Sequence, residues 1–156
     1  MLFVVIAAAL LFPFSIRRGI GLWKQVFLTE AWVVNGDLTD QQARGRYLVE
    51  ALAHCGECHT PRGTLGGPDE ARWLGGAPNP TGQGRIPNIT PGALDWSEVE
   101  IADYLATGFT PDFDSAGGSM VEVIENLSRL DQADLDAIAA YLKIVPEVAT
   151  QPDSDS

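Results

Sequence analysis

The chain has 156 residues with 10 Lys and Arg against 21 Asp and Glu, a net charge of −11. This length fits one small domain with a short extension, so it excludes two full domains and a large multi-site enzyme. The negative charge repels phosphate backbones, so nucleic acid is set aside as a partner. The 16 Gly and 10 Pro leave fewer residues for regular elements, so few elements must form the core.

The N-terminal segment is strongly apolar. Residues 1–16 carry no charge, and two arginines follow directly. A helix of that length spans only ~23 Å, less than the ~30 Å hydrocarbon core of a bilayer, and the segment lacks the basic start and the cleavage site of a secretory signal. Apolar residues then recur at helical spacing, namely Ile16, Ile20, Trp23 and Phe27. For residues 1–28, contact with a membrane and packing on the protein's own body both stay open.

Three main helices and one short helix are predicted in the acidic part of the chain. Apolar residues at helical spacing indicate these helices over 40–53, 97–107, 120–127 and 131–144. Thr39 or Asp40 can cap the first helix, and Asp131 can cap the last. Ser97 and Glu100 form a capping box at the second. The prediction is an all-α fold.

A long irregular segment lies between the first two main helices. Residues 60–96 contain 6 Pro and 8 Gly and show no sustained periodicity. Compact domains rarely hold so long a stretch without regular structure unless it wraps something. The three main helices also cover only about 40 residues, which is thin for a self-sufficient core. A flat apolar cofactor at the centre of the domain resolves both difficulties.

Both cysteines of the chain lie in one pentapeptide, Cys55-Gly-Glu-Cys58-His59. Thiols so close in sequence cannot join distant elements, so they form a redox dithiol, part of a metal site or a haem anchor. A zinc site needs four ligands, and His54 is too close to complete a tetrahedron. A redox dithiol needs its first Cys at a helix start after a strand, whereas a predicted helix runs into this pair. The pattern favours covalent haem c, with thioethers at both cysteines and His59 bound to the iron.

The second axial ligand is predicted by elimination, because haem c usually takes a Met or His from a distant loop. The chain offers only Met1 and Met120 and, besides His59, only His54. Met1 lies at the far end of the apolar segment, and His54 is too close to the attachment site to reach the opposite face. Met120, which follows a Gly-Gly-Ser turn, is therefore the predicted sulfur ligand. A core methionine that fills a gap is the alternative.

These motifs resemble a class I c-type cytochrome, and within that group the cytochrome c subunits of membrane-associated bacterial dehydrogenases. The stretches that carry the resemblance are RGRYLVE (44–50), CGECHTPR (55–62), IPNITP (86–91), WSE (96–98), GGSM (117–120) and AIAAYL (137–142). The resemblance implies a class I cytochrome c fold, with three main helices and short helices around one covalently bound haem. It also implies that Pro87 lies along the proximal haem edge, and that the last helix crosses the first near Gly45.

The resemblance extends to domain organisation. Residues 12–24 are similar to the connector that joins a first haem domain to a second in two-haem relatives, and no first haem domain stands before them in this sequence. We therefore expect an N-terminal segment over 1–34 that is a membrane contact or a connector. A one-haem domain over 35–148 and a disordered tail over 149–156 are expected to follow.

The expected function is one-electron transfer between a dehydrogenase or respiratory complex and a downstream acceptor, without catalysis by the chain itself. A haem enzyme or ligand sensor with a displaceable Met120 is the alternative, and thiol-disulfide exchange is a third. Haem attachment at this motif occurs on the periplasmic side of a bacterial inner membrane, which is the expected location. Residues 86–156 hold 2 Lys or Arg against 14 Asp or Glu, so the expected partner, a dehydrogenase subunit or a soluble cytochrome, has a basic face.

Overall fold

The computed structural model describes residues 16–28, 31–82 and 84–150, and the chain forms two units that divide between Trp32 and Val33. In the first unit, helix α1 (Ile16–Phe27) confirms the helical spacing predicted there, and the rings of Trp23 and Phe27 lie 5.3 Å apart. None of the helices in these ranges is both long and apolar enough to cross a bilayer. The predicted apolar segment before residue 16 lies outside the described residues, and membrane contact by residues 1–28 stays a prediction.

The first predicted helix of the second unit forms in two parts. Helix α2 (Asp40–Arg46) continues into a π-helical segment over Tyr47–Leu52. Thr39 is the cap, since its side chain accepts from the Gln42 N–H and the Gln42 side chain accepts from the Thr39 N–H. This capping box satisfies N–H groups that the first turn of a helix otherwise leaves unpaired.

A short helix, α3 (Cys55–His59), follows, and the long segment after it is mostly irregular, as predicted. Its short regular pieces are a 3-10 turn (Glu70–Arg72) and the strands β1 (Ala77–Pro78) and β2 (Arg85–Ile86). The strands pair antiparallel, with Ala77 opposite Ile86. The all-α prediction missed this pair, because a strand of two residues is too short to show a periodic pattern.

The remaining helices lie close to their predicted positions and are α4 (Glu98–Thr107), α5 (Met120–Leu127) and α6 (Gln132–Leu142). Ser97 and Glu100 form the predicted capping box at α4. Gly108 ends that helix with a φ of +79°, a conformation that glycine adopts without strain. Asp131 stands at the N-cap of α6, but the prediction that its side chain caps the helix is wrong. Its backbone carbonyl accepts from the Asp134 N–H instead.

Helix α6 packs against both α2 and α4 and forms the centre of the second unit. Its contact with α2 is tight at Gly45, where a Cβ would lie 1.9 Å from the Ala137 carbonyl oxygen and 2.7 Å from the Tyr141 Cβ. A side chain at this position would push the two helices apart, so only glycine fits. The helix crossing that the resemblance implies near Gly45 is thereby confirmed.

The core is one apolar cluster built from the helices and from part of the irregular segment. Its most deeply buried side chains include Val49, Leu74, Ile138 and Tyr141. Burial of a large apolar side chain stabilises a fold by ~1.5–3 kcal/mol. Because Leu74 belongs to the irregular segment, that segment is anchored in the core despite its lack of regular structure.

Glu50 ties the start of the second unit to the core. Its carboxylate accepts from the Val33 N–H at 2.8 Å and the Val34 N–H at 3.3 Å, and from the hydroxyl of buried Tyr141. Burial raises the pKa of Tyr141 far above its usual value, and the hydrogen bond to Glu50 raises that pKa further. Residues 33 and 34 therefore belong to the second unit, whereas the prediction assigns them to the N-terminal segment over 1–34.

Candidate functional site

The cysteine pentapeptide forms helix α3, a single turn that starts after a bend in the chain. His54 adopts a φ of +51°, and this left-handed conformation turns the chain out of the preceding π-helical segment. Residues three positions apart in a helix stand on the same face, so the Cys55 and Cys58 side chains lie side by side. Neither cysteine forms a disulfide.

Helix α3 packs on the indole of Trp73, a contact that the sequence pattern did not indicate. A Cβ at Gly56 would lie 2.1 Å from the indole ring, so the helix backbone approaches that ring as closely as glycine allows. The Trp73 side chain in turn borders the core cluster. The glycine after the first cysteine therefore determines how closely α3 lies against the rest of the domain.

His59 is a buried and hydrogen-bonded side chain of the site. It is 8% exposed, and its Nδ1–H donates to the Pro87 carbonyl oxygen at 2.8 Å. Burial lowers the pKa of His59, while the hydrogen bond to Pro87 acts in the opposite direction. The ring is thus kept neutral with its Nε2 lone pair unprotonated, which is the form that binds a metal ion. His59 is the predicted iron ligand, and the structure adds the Pro87 carbonyl as the hydrogen-bond partner of its ring.

Two contacts hold the irregular segment around His59. The Gly76 N–H donates to the His59 carbonyl at 2.7 Å, and the Leu74 N–H donates to the Thr60 hydroxyl at 3.0 Å. Gly76 has a φ of +82°, a value that favours glycine. The segment is thereby fixed close to α3 and brings Pro87 within hydrogen-bond distance of His59.

Burial also sets the thiol chemistry of the site. It raises the pKa of the Cys55 thiol to about 11. Such a thiol is protonated at neutral pH, which makes it a poor nucleophile for disulfide exchange. In residues 16–28, 31–82 and 84–150 no group of three or more His, Cys, Asp or Glu is suited to a metal ion. Neither the dithiol nor the zinc interpretation gains support.

Met120 is the first residue of α5. It is half-buried, borders the core cluster and follows a turn in which Gly118 has a φ of +57°. Its role as an iron ligand stays a prediction. His54 is exposed at a helix end, where the sequence places it. The predicted site residues that the structure brings together are Cys55, Cys58, His59 and Pro87.

The arrangement fits a covalently attached haem. Two thiols on one face of a single turn have the spacing that thioether attachment to a porphyrin requires. The adjacent imidazole is neutral, and a carbonyl holds its Nδ1–H, as is usual for a histidine that binds a metal through Nε2. The high pKa of the Cys55 thiol is no obstacle to a permanent thioether, because a thioether carries no proton.

Residues 42–145, well over half of the chain, match the family model described as Cytochrome c. The chain therefore belongs to the cytochrome c family, whose members carry covalently bound haem c. The matched range includes the pentapeptide, Pro87 and Met120. It also contains the helices of the second unit, except for the first two residues of α2.

Several relatives extend the match. The chain is 58% identical to a diheme cytochrome c-type protein of Cereibacter sphaeroides over 139 residues, which are 89% of this chain and 47% of that protein. It is 45% identical to the fructose dehydrogenase cytochrome subunit of Gluconobacter japonicus over 145 residues, covering 88% and 29% of the two chains. It is 36% identical to the cytochrome c subunit of alcohol dehydrogenase (quinone) of Gluconobacter oxydans over 150 residues, covering 87% and 31%. The chain spans less than half the length of each of these relatives. The predicted resemblance to the cytochrome subunits of dehydrogenases is confirmed.

Proposed function

We propose that this chain transfers single electrons through one covalently bound haem c. When bound, that group supplies an iron that alternates between two oxidation states and so carries one electron. The observation that carries the proposal is the 2.8 Å hydrogen bond from His59 to the Pro87 carbonyl, which leaves Nε2 of a buried, neutral imidazole available for iron. The relatives named as cytochrome subunits of dehydrogenases support the same function.

Each site residue has a separate task in this proposal. Cys55 and Cys58 would hold the group permanently through thioethers, and His59 would bind its iron. Met120 would supply a thioether sulfur as the second ligand, which would favour the reduced iron relative to a site with two histidines. The sequence contains one Cys-x-x-Cys-His pentapeptide, so we propose one haem, whereas the relative from Cereibacter sphaeroides is named as diheme.

The composition and spectrum of the purified protein test this proposal. We expect haem that stays on the chain in a denaturing gel, a mass increase of one haem, and an oxidised low-spin spectrum with the weak red-edge band of Met-ligated iron. A haem enzyme or ligand sensor with an open coordination site would lack that band. Protein with titratable free thiols and no haem would contradict the proposal and favour thiol-disulfide exchange.

The proposal includes a location. Attachment of haem at Cys-x-x-Cys-His takes place on the periplasmic side of a bacterial inner membrane, so the second unit works on that side. Residues 1–28 are the part of the chain proposed to contact the membrane. The amphipathic helix α1, which has basic residues near its start, is of the kind that lies at a membrane surface.

The surface proposed to meet the redox partner is the acidic lobe, residues 86–128, in which the sequence has eight Asp or Glu and no Lys, Arg or His. A tight turn in this lobe carries Phe113, which is 92% exposed and has a φ of +63°. The Thr110 carbonyl accepts from the Phe113 N–H at 2.9 Å, and the Thr110 hydroxyl accepts from the Asp114 N–H at 3.0 Å. An exposed ring between Asp112 and Asp114 suits a partner that offers an apolar contact inside a basic rim.

Electron transfer to a basic partner, a dehydrogenase subunit or a soluble cytochrome, is expected to slow as ionic strength rises. The Debye length shrinks from ~30 Å at 0.01 M to ~8 Å at physiological salt, so long-range attraction to the acidic lobe is lost. Stopped-flow measurement of the second-order rate constant over this range should show a fall of about tenfold or more.

Two double variants that each remove two negative charges test which surface causes the salt dependence of the rate constant. Asp112→Asn with Glu122→Gln removes two exposed charges from the acidic lobe and should flatten the salt dependence. Asp37→Asn with Glu70→Gln removes two exposed charges outside that lobe and should leave the dependence nearly unchanged. A rate constant that stays flat from low to high salt in the unmodified protein would count against the basic partner.

A further inference from the structure

Asn88 and Thr90 lie next to Pro87 and bind the C-terminal strap, the segment of residues 145–150 that follows α6. The Asn88 amide donates to the Val148 carbonyl at 2.7 Å, and the Val148 N–H donates to the Thr90 hydroxyl oxygen at 3.1 Å. The Asn88 amide also donates to the Thr150 hydroxyl at 3.3 Å. The irregular segment and the strap are therefore joined by several hydrogen bonds close to the carbonyl that binds His59.

Within the irregular segment, Asn88 and Thr90 are also hydrogen-bonded to each other. The Asn88 amide oxygen accepts from the Thr90 N–H at 2.9 Å and from the Thr90 hydroxyl at 2.8 Å. Asn88 is 8% exposed and Thr90 is fully buried. Buried polar groups whose hydrogen bonds are all made in one geometry resist displacement, because any shift leaves donors or acceptors unpaired away from water.

Close packing against Gly76 also holds the Pro87 peptide. A Cβ at Gly76 would lie 2.8 Å from the Asn88 backbone nitrogen and 3.1 Å from the Pro87 carbonyl carbon. A Cβ at Gly92 would lie 2.7 Å from the Val148 carbonyl oxygen, so the strap also lies against the irregular segment there. The Pro87 peptide is thus held both by the Gly76 backbone and by the Asn88 side chain with its strap.

We propose that Asn88 and Thr90, through the C-terminal strap, are positioning residues that set the strength of the hydrogen bond from His59 to Pro87 and thereby the reduction potential of the iron. This inference rests on the proposed function, in which His59 binds iron. A firm Nδ1–H bond to a carbonyl makes the imidazole a stronger electron donor, which favours the oxidised iron. A looser strap lets the carbonyl retreat, so the potential rises.

The experiment uses the full chain loaded with haem. Asn88→Ala removes the amide that joins Pro87 to the strap. We expect its midpoint potential to rise, by up to about tenfold in the equilibrium constant for reduction, or ~59 mV for one electron. The His59 Nδ1–H should also exchange faster with solvent in the reduced protein, as measured by NMR.

The chain offers a matched control for this variant. Asn79 binds the N–H and hydroxyl of Thr81 at 3.0 and 2.9 Å, in the same Asn-x-Thr pattern, but in an exposed turn without the strap. Asn79→Ala should therefore leave the potential and the Nδ1–H exchange unchanged. A second pair of variants tests Thr90. Thr90→Val removes the hydroxyl at similar side-chain size and should raise the potential. Thr90→Ser keeps a hydroxyl and should leave the potential close to that of the unmodified protein.

The outcomes separate this proposal from the function on which it rests. If Asn88→Ala and Thr90→Val lower the melting temperature but leave the potential and the Nδ1–H exchange unchanged, the strap is only structural and the proposal is overturned. If Asn88→Ala does not fold, Thr90→Val with its serine control decides the question. If His59→Ala leaves the spectrum of the bound haem unchanged, His59 is not the ligand, and the proposed function fails independently of the strap.

Discussion

Replacing Cys55 and Cys58 together by alanine is expected to remove haem from the chain on a denaturing gel and to leave the second unit largely unfolded. Without thioethers nothing covalent retains the group. A domain of this size has only ~5–15 kcal/mol of net stability, and loss of a large buried apolar group removes a large part of that margin. Haem staining and the far-UV circular dichroism of the variant measure the two effects separately.

Single variants provide the controls for this experiment. Cys58→Ala keeps the thiol at position 55 and should retain part of the haem stain. Glu57→Gln changes the exposed residue between the cysteines and should retain all of it. A double variant that is free of haem and well folded would contradict the expectation that the bound group completes the core.

Replacing Met120 by alanine is expected to lower the reduction potential and to open the iron to cyanide or carbon monoxide, while the pentapeptide still holds the ring. Loss of the sulfur ligand removes the preference for reduced iron. The decrease should be on the order of 0.1 V, a fraction of the ~0.8 V over which axial ligands move haem potentials. Potentiometric titration and ligand-binding spectra measure it.

Met120→Leu separates ligation from packing, because leucine keeps the volume of a half-buried methionine but offers no sulfur. It should behave like Met120→Ala in potential and ligand binding, and like the unmodified protein in stability. Val121→Ala, at the exposed next position of α5, should change neither. If the red-edge band survives unchanged in both Met120 variants, Met120 is not the ligand.

Local signals explain which features of the fold and the site could be predicted from the sequence. The capping box of Ser97 and Glu100 forms as predicted, and of the two predicted candidates for the cap of α2, Thr39 and Asp40, the cap is Thr39. Both caps involve residues three positions apart. The pentapeptide is equally local, since its chemistry depends on spacing within one turn. Helices with such ends and a repeated apolar face are encoded in a short window, so their positions could be predicted from pattern alone.

The contacts that join distant parts of the chain could be read only from the folded structure. Pro87 binds His59 across 28 residues, and Asn88 binds Val148 across 60. Neither contact has a periodic signature, because the irregular segment that carries Pro87 and Asn88 is positioned by the burial of its own Leu74, by the close approach of Gly76 and by the strap. The fit of Gly56 on Trp73 is likewise a matter of ångström-scale clearance, which residue spacing does not record. The elements and the attachment motif are thus local properties of the sequence, whereas the setting of His59 depends on how the folded chain closes around it.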